Sequence, residues 1–307
     1  MKYHFMGEHR GIHSVERMAR VLRVSRSGYY AWRNRGESDR DRSNRELSER
    51  IRRIQEKVKY RYGSPRVTAA LRREGKAVGH NRVARLMGES GLQARRKRKF
   101  RSTTKAAESR PAASNVLGRN FTVSTPNRVW TSDITYIATG CGWLYLAVVM
   151  DLCSRRVVGW AMSSRLTTDL VLRAFWMAVM MRNPPKGVIF HSDRGSQYTA
   201  HAFVRVLDRC RMVQSMSRKG ECWDNAPTES FFSTLKGELM DGKAFPTREA
   251  AQAAIFEYME VFYNRQRLHS SLGYMTPAGY EEAISGGSCS TTPFEKTRCR
   301  PAMKEVG

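Results

Sequence analysis

Two aspartates occupy unusual positions in this sequence. One lies within a predicted strand, where apolar residues are expected, and the other lies just after a predicted strand, where a turn is expected. Asp193 follows the apolar run 187–190 after two intervening residues, and Asp133 lies within the β-rich stretch WTSDITY. A single aspartate after a strand usually serves a turn. Two carboxylates that lie a few ångströms apart repel each other, and a divalent cation allows both to stay ionised. The pair therefore points to a metal site, provided that the fold brings the two stretches together.

A third carboxylate, Glu229, could complete this site. It follows Asp193 with 35 residues between them, in a stretch predicted to be a helix. Two divalent metals about 4 Å apart, held by carboxylates, are the known arrangement for in-line phosphoryl transfer. Lys236 shares a helix face with Glu229, two turns further on and about 10 Å along the axis, where its charge could hold a phosphate. The expected chemistry is cleavage or transfer of a phosphodiester.

The elements that must position these residues begin at Arg128. Three β-rich stretches separated by tight turns predict an antiparallel meander, and two further strands, each preceded by a helix, follow it. Helices are then predicted at 226–240 and 248–266. This order predicts an α/β fold, a five-strand mixed sheet flanked by helices, as in the ribonuclease H fold. In that fold the first strand lies beside the fourth, so Asp133 can face Asp193.

The positive charge of the chain is concentrated in its first third. The net charge is +26, of which residues 1–105 contribute +20. Such a basic region next to a nearly balanced one predicts an arm that binds nucleic acid. We divide the chain into a small helix-turn-helix-like unit, a basic helix-turn-helix-like DNA-binding unit, a linker, a catalytic core and a disordered tail. Their ranges are 1–36, 44–101, 102–127, 128–284 and 285–307.

Several basic residues of the second unit are predicted to contact DNA. Arg82 and Arg85 lie on its third predicted helix, and a basic run follows that helix. Basic runs are often only solvated, but this one adjoins a helical unit that is itself basic. The run consists of Arg95, Arg96, Lys97, Arg98 and Lys99.

The sequence argues against other classes of protein. No run approaches the roughly 20 apolar residues that a membrane helix needs. The first residues lack the apolar centre of a signal peptide, so we expect a cytoplasmic protein with no membrane partner. The six cysteines have no zinc-ligand spacing.

Other acidic residues have simpler interpretations than catalysis. Asp151 ends the second predicted strand, where a turn or an ion pair with Arg155 or Arg156 is expected. Asp224 fits an N-cap of the helix that carries Glu229.

Histidine and tryptophan residues are further candidates for the site. His191 and His201 are weak metal candidates, because this chemistry prefers oxygen ligands. Trp223 lies in a polar loop beside the expected site and could contact DNA. The remaining tryptophans considered are expected in the core, namely Trp130, Trp143 and Trp160.

Four ordered motifs together resemble one family. They are WTSDITY, HSDRGSQY, CWDNAPTESFFSTLK and, from Tyr263 to Pro277, YNRQRLHSSLGYMTP. This set resembles the integrase-core transposases of the DDE type, relatives of retroviral integrases that carry two aspartates and, 35 residues on, a glutamate. It is most similar to the second-frame protein of the IS-three insertion sequences. The resemblance extends from Met1 to about Ala283.

The resemblance implies a function and a set of partners. It makes Asp133, Asp193 and Glu229 a catalytic triad that binds Mg²⁺, or Mn²⁺ in its place, with two ions when DNA is bound. It implies double-stranded DNA as partner, both terminal inverted repeats and target, and a homo-oligomer on that DNA. It also implies a possible fusion with an upstream-frame protein. Residues after the fourth core helix could neutralise phosphates, namely Arg265, Arg267 and His269.

The sequence leaves two alternatives open. A repressor built from the same helical units would bind DNA without cutting it, although the complete triad argues against this. A ribonuclease H-like nuclease would cut DNA without joining it, and the sequence alone does not separate these two activities.

Overall fold

The structure, a computed structural model, describes residues 1–94, 113–218, 222–240 and 244–286. The chain forms two compact units, Met1–Gln93 and Ala94–Gly307. The basic run from Arg95 to Lys99 and nearly all of the predicted tail lie outside the described residues. Within the described part of the chain, no helix is long and apolar enough to cross a membrane.

The first unit begins with three short helices around a small core. They are α1 (Lys2–His9), α2 (Val15–Leu22) and α3 (Arg26–Asn34). Ser14 and Ser25 cap α2 and α3, because each hydroxyl accepts a hydrogen bond from a backbone N–H in the first turn. The buried residues of this group are Met6, Met18, Ala19 and Tyr29.

Three further helices complete the first unit: α4 (Asp39–Lys57), α5 (Ser64–Arg73) and α6 (His80–Glu89). The spacing of Leu47, Ile51 and Ile54 places them on one face of α4, where they are buried. Helix α4 contacts both α5 and α6, which also contact each other. These helices form in the stretch for which the sequence predicts a helix-turn-helix-like unit.

The second unit is built on a five-strand sheet in the order β3-β2-β1-β4-β5. The first three strands pair antiparallel, whereas β4 pairs parallel with both β1 and β5. This topology confirms the predicted ribonuclease H-like fold, with the first strand beside the fourth. The strands are β1 (Val129–Thr139), β2 (Gly142–Asp151), β3 (Val157–Ser163), β4 (Ile189–Ser192) and β5 (Val213–Met216).

Helices cover both faces of the sheet. Trp130 of β1 packs in a cluster with residues of α7 (Thr168–Arg182), whereas its neighbour Thr131 contacts α9 (Ala226–Leu235). Successive side chains of a strand point to opposite faces, so these two helices lie on opposite faces. Helices α9 and α10 each continue into a π-helical segment, Lys236–Met240 and Glu257–Tyr263. The other helices are α8 (His201–Arg209), α10 (Arg248–Phe256) and α11 (Pro277–Ser285).

The described second half of the predicted linker, residues 113–127, is attached to the sheet, so a linker is the wrong interpretation there. Leu117 is buried against Val129 and Leu152. The backbone N–H groups of Val116 and Leu117 donate to the hydroxyl of Ser215 in β5. The polar composition of this segment hid the attachment, because very few apolar side chains are needed to anchor an irregular segment. Residues 102–112 lie outside the description.

Asp151 forms the predicted turn but not the predicted ion pair. Its carboxylate accepts hydrogen bonds from the backbone N–H groups of Asn127 and Cys153, at 2.6 and 2.9 Å. Its cationic neighbour is Arg182 of α7 at 3.9 Å, not Arg155 or Arg156. The turn is therefore confirmed, and only the ion-pair partner differs, because Arg182 lies on a helix that is distant in sequence.

Helix α11, which the sequence did not predict as a separate element, is anchored by one buried carboxylate. Glu281 receives hydrogen bonds from Arg182 at 2.8 Å, from Arg156 at 2.7 Å and from Ser154 at 2.6 Å. Burial opposes its ionisation, but these donors outweigh burial and hold the pKa of Glu281 below its ordinary value. The interaction fixes α11 to the C-terminal end of α7.

Candidate active site

The register of two neighbouring strands places Asp133 beside Asp193. β1 and β4 run parallel, with Thr131 paired to His191. Two residues further on lie Asp133, in β1, and Asp193, directly after β4. An equal step along two parallel strands keeps the residues side by side and on the same face, with strands about 5 Å apart. Asp193 is therefore more than a turn residue.

The charges of two other acidic residues act on Asp133. Burial raises the pKa of Asp133 well above its ordinary value, and the charges of Asp193 and Glu229 raise it further. The Ile134 backbone N–H, 2.7 Å from Asp133 Oδ1, and the charge of Lys236 offset only part of this increase. Burial also raises the pKa values of Asp193 and Glu229. Such a cluster is stabilised by a cation.

Glu229 reaches the cluster because the start of α9 is fixed to β1. The Thr228 hydroxyl donates to Thr131 Oγ1 at 2.9 Å, in the interior. The Asn225 side-chain amide, just before the helix, donates to the Ser132 carbonyl at 3.3 Å. The bonded residues are close in sequence to Glu229 or Asp133. The start of α9 therefore places Glu229 on the face of the sheet that carries Asp133.

The loop after β4 holds Asp193 through its own backbone. The Gly195 N–H donates to Asp193 Oδ1 at 3.0 Å. A Cβ at position 195 would itself lie 3.0 Å from that oxygen, so glycine fits the close approach. Tyr198, further along the motif, is fully buried, and its hydroxyl is 2.8 Å from the Ser132 hydroxyl. The motif thus fixes the carboxylate and ties its loop to β1.

Lys236 lies within electrostatic reach of the carboxylates. Its Nζ is 4.6 Å from the centre of the Tyr136 ring. Burial lowers the pKa of Lys236, and the charge of Asp133 acts in the opposite direction. Lys236 is the first residue of the π-helical segment that continues α9.

The three carboxylates fit a hard divalent cation such as Mg²⁺, which prefers oxygen ligands. In the described part of the chain, no three His, Cys, Asp or Glu side chains converge closely enough to enclose one ion. Asp133 is the carboxylate on which the charges of both others act.

His191 does not belong to this set. It is fully buried, and its ring nitrogens lie 2.9 and 3.3 Å from the hydroxyls of Ser215 and Ser217. Burial lowers its pKa. His201, at the start of α8, is exposed. Neither histidine joins the carboxylates, in line with the oxygen preference of the site.

The N-cap prediction for Asp224 is wrong. Asp224 is fully buried within a short 3₁₀ turn, and Asn225 precedes α9. Its carboxylate accepts hydrogen bonds from Arg218, from Arg119 at 2.6 Å and from Asn115 at 2.9 Å. The Arg218 side chain is the main cause of a pKa held far below the ordinary value. Arg119 and Asn115 lie more than 100 positions earlier in the sequence, so Asp224 anchors the segment that contains them to the loop before Glu229.

Two of the three residues predicted to neutralise phosphates are buried. Arg267 is 3% exposed, and its guanidinium pairs with Glu238 at 2.7 Å. His269 is buried with its ring edge-on to Tyr263. The prediction for both is therefore wrong, because the chain folds back after α10 and encloses them. Arg265 is exposed, and a phosphate contact remains a prediction for it.

Sequence reasoning missed the network around Glu238. Its carboxylate accepts hydrogen bonds from Arg267 Nε at 3.0 Å, from Arg267 Nη2 at 2.7 Å and from the hydroxyl of Tyr258 at 2.8 Å. Glu238 and Tyr258 belong to the two π-helical segments, so the network joins them. The available signal was the motif from Tyr263 to Pro277, because it contains Arg267. The motif does not include Glu238, so it did not identify the partner of Arg267.

The predicted positions of the tryptophans are confirmed for some of them and wrong for others. Trp130 is fully buried, as predicted, and Trp160 is half-buried. Trp143 is 49% exposed at the start of β2, so a core position is wrong for it. The side chain of Trp223 lies outside the described part of the structure.

The predicted DNA-contacting arginines of the first unit lie on α6. Arg82 donates to the side chains of Asn44 and Ser43 at 2.8 to 3.0 Å, which links α6 to α4. Arg85 pairs with Glu89 at 2.7 Å. Together with Arg40, both arginines line an open depression. Contact with DNA remains a prediction for them.

Models of known families match both units. A model described as an integrase core domain matches residues 123–222, and a second model of the same description matches residues 211–277. A model of an HTH-like domain matches residues 42–100.

Two solved structures that resemble this chain at low sequence identity come from integrases. The HTLV-2 integrase catalytic core domain in complex with magnesium is 18% identical, with a TM-score of 0.40, over 51% of this chain and 97% of that one. A simian T-cell lymphotropic virus intasome is 14% identical, with a TM-score of 0.44, over 83% and 80% of the two chains.

Relatives match over nearly their whole length. Transposase InsF for insertion sequence IS3A of Escherichia coli (strain K12) is 42% identical over 92% of this chain and 98% of the relative. A 31 kDa protein of insertion element IS600 from Shigella sonnei is 44% identical over 86% and 97%. With the integrase core and HTH-like matches, this identity shows that the chain belongs to the IS3 family of insertion-sequence transposases.

Proposed function

We propose that this transposase cuts DNA at the ends of its insertion sequence and joins the resulting 3′-hydroxyl groups to another phosphodiester. The family supplies the reaction class. The observation that carries the assignment of the site is the parallel register of β1 and β4, which sets Asp133 beside Asp193. The bond between Thr228 and Thr131 then brings Glu229 to the same face.

The residues that would hold the metal are Asp133, Asp193 and Glu229, with two Mg²⁺ ions, or Mn²⁺ in their place, when DNA is bound. Bound there, the ions would supply activation of the attacking oxygen and stabilisation of the leaving oxygen. The chain's own part is to hold three carboxylates in place before the DNA arrives, so that little reorganisation remains for the reaction. The anchored start of α9 and the loop after β4 do this.

Lys236 would hold a phosphate of the DNA next to the carboxylates. Its ammonium group lies beside Tyr136 and within reach of the charge of Asp133. Positioning is most of what a phosphoryl-transfer site contributes. Since one phosphodiester replaces another in the joining step, neither a covalent bond between protein and DNA nor an external energy source is needed.

The basic helical unit would hold the terminal inverted repeats. We assign this role to the unit predicted at 44–101, with Arg82, Arg85 and the run Arg95 to Lys99 on the phosphates. Two ends of one element must be joined together, so a homo-oligomer on DNA is the expected assembly. We also propose a cytoplasmic location and, for some of the product, fusion with an upstream-frame protein.

A joining assay separates this proposal from its alternatives. The full chain is incubated with Mg²⁺, a duplex that carries the terminal repeat of its element, and a supercoiled target plasmid. We expect nicked ends and then ends joined to the plasmid. A repressor would bind the duplex and yield neither product, whereas a nuclease would yield nicks alone.

A further inference from the structure

The loop that leads into α9 is held by one buried carboxylate. Asp224 is fully buried and lies five residues before Glu229. It accepts hydrogen bonds from the backbone N–H of Arg218 at 2.9 Å and from the guanidinium of the same residue at 3.1 Å. It also accepts from Arg119 Nε at 2.6 Å and from the Asn115 side-chain amide at 2.9 Å. Arg218 follows β5, whereas Arg119 and Asn115 precede β1, so three parts of the chain meet at this carboxylate.

The segment that precedes β1, residues 113–121, is called the entry segment below, and it is also bonded close to Asp193. Two of its backbone N–H groups donate to the Ser215 hydroxyl, at 3.1 and 3.3 Å. The same hydroxyl lies 2.9 Å from Nδ1 of His191, which stands two residues before Asp193. The entry segment is thus linked to the chain beside two of the three candidate carboxylates.

The bonds at this junction depend on the negative charge of Asp224. The Arg218 side chain is the main reason that the pKa of Asp224 lies far below its ordinary value, so the carboxylate is ionised at neutral pH. An asparagine in its place would turn an amide N–H₂ towards guanidinium donors and could not accept most of these bonds. The side chains of Arg119 and Arg218 are 40% and 55% exposed. Water can therefore solvate both once the charge is lost, so the junction should loosen while the core stays folded.

The junction is connected to the carboxylates through the next few residues of the chain. Asn225, directly after Asp224, donates to the Ser132 carbonyl at 3.3 Å, and Ser132 precedes Asp133 in β1. Helix α9 then begins and carries Glu229 in its first turn. A shift of Asp224 is therefore passed along the backbone to Glu229. A ligand displaced by even about 1 Å weakens a preorganised site markedly.

We propose that Asp224 is a positioning residue for the metal site, which holds Glu229 in place by tying the entry segment and the end of β5 to the start of α9. This rests on the proposed function, because Glu229 is assigned there as a metal ligand. Asp224 acts through the loop and binds no ion itself, because both of its oxygens accept bonds from the donors named above. The entry segment is then a part of the catalytic unit rather than a tether.

The test compares Asp224→Asn with Glu281→Gln, a matched control. Glu281 is also a buried carboxylate bonded by arginines, but it joins α11 to α7. Binding of Mn²⁺ to the full chain without DNA is followed by the electron paramagnetic resonance of the free ion. We expect Asp224→Asn to bind Mn²⁺ about tenfold more weakly, on the scale of losing an outer partner of a metal ligand. Glu281→Gln should bind Mn²⁺ as the wild type does, although urea unfolding should show that both variants are less stable.

Arg119→Gln approaches the junction from its other side and decides the question if Asp224→Asn does not fold. It should also weaken Mn²⁺ binding, and the double variant should lose little more than Asp224→Asn alone, because a single junction is removed only once. Cleavage of a repeat duplex should need about tenfold more Mg²⁺ for half its maximal rate, with duplex binding unchanged.

The proposal is overturned if folded Asp224→Asn or folded Arg119→Gln binds Mn²⁺ like the wild type. It is also overturned if Glu281→Gln weakens Mn²⁺ binding as much as Asp224→Asn does, which would indicate a general loss of stability. Failure of the proposed function would appear elsewhere, as a wild-type chain that neither binds Mn²⁺ nor joins DNA ends.

Discussion

Asp133 is kept at a position where burial and two like charges oppose its ionisation. The Ile134 N–H and the charge of Lys236 offset only part of this opposition. A carboxyl group whose pKa is higher in the folded than in the unfolded chain reduces stability as the pH rises through the folded pKa. A divalent cation bound by the folded state would restore that stability, so metal binding and folding are linked at this residue.

Asp133→Asn should stabilise the metal-free protein at pH 7, by at least about 1 kcal/mol, because the amide carries no charge to desolvate. The gain should shrink as the pH falls towards about 4 and vanish below it, because the wild-type carboxyl is then protonated in both the folded and the unfolded state. Added Mg²⁺ should raise the melting temperature of the wild type more than that of the variant. Thermal unfolding from pH 4 to 8, with and without Mg²⁺, measures both effects.

The control for that experiment is Asp208→Asn, an exposed carboxylate of α8. It should change neither the stability at pH 7 nor the response to Mg²⁺. An Asp133→Asn protein that is less stable than the wild type at pH 7 and responds equally to Mg²⁺ would contradict the account of this residue.

Lys236→Ala should slow joining without weakening Mg²⁺ binding, because a lysine is not a metal ligand. The expected loss is about 1–3 kcal/mol of transition-state stabilisation, on the scale of a charged hydrogen bond. Joining rates on pre-cut repeat ends, beside a metal titration, measure the two effects separately. Lys186→Ala, at an exposed position, is the control. Unchanged joining would make Lys236 an ordinary surface lysine.

At the scale of elements, local patterns predicted the five strands and the helices α4 to α10, since alternation and helical spacing are properties of neighbouring residues. The triad was also accessible, because Asp133, Asp193 and Glu229 lie in recognisable motifs. Contacts between residues far apart in sequence were not accessible. Asp224 has the sequence context of an N-cap, yet Arg119, 105 positions away, pairs with it.

The buried ion pair between Glu238 and Arg267 should stabilise the π-helical segment that starts at Lys236. Glu238→Gln or Arg267→Met leaves a buried group without its charged partner, and we expect each to cost about 3–5 kcal/mol. The double variant Glu238→Gln/Arg267→Met should cost clearly less than the two single costs added, because both buried charges are gone. Urea unfolding of the three proteins measures this. Additive losses would mean that the pair is not coupled.

At the scale of the whole molecule, the basic residues and the candidate catalytic carboxylates lie in different parts of the chain. Residues 1–105 contribute +20 of the net +26, while the carboxylates that would bind metal all lie in the second unit. The first unit matches an HTH-like domain and the second an integrase core. Affinity for DNA and the capacity to cut it should therefore be separable by substitution.

Binding of the full chain to a repeat duplex should weaken steeply with salt. Each phosphate contact that is lost should reduce the slope of log K against log salt by about 0.9. We expect replacement of the run Arg95, Arg96, Lys97, Arg98 and Lys99 by glutamine to reduce the slope by several units. The same number of substitutions among exposed arginines of the second unit serves as the comparison. A slope unchanged by the glutamine variant would remove the run from the DNA contacts.

The central claim is that Asp133, Asp193 and Glu229 act together as the metal-holding triad of strand cleavage. The most direct measurement is single-turnover cleavage of repeat duplexes in Mg²⁺ by Asp133→Asn, Asp193→Asn and Glu229→Gln, beside Asp208→Asn. Each triad variant should lose about a hundredfold or more in rate, on the scale of losing a principal electrostatic stabiliser. Binding of the duplex should stay within about twofold, since the basic unit is untouched. Near-normal cleavage by any one of the three would contradict the triad.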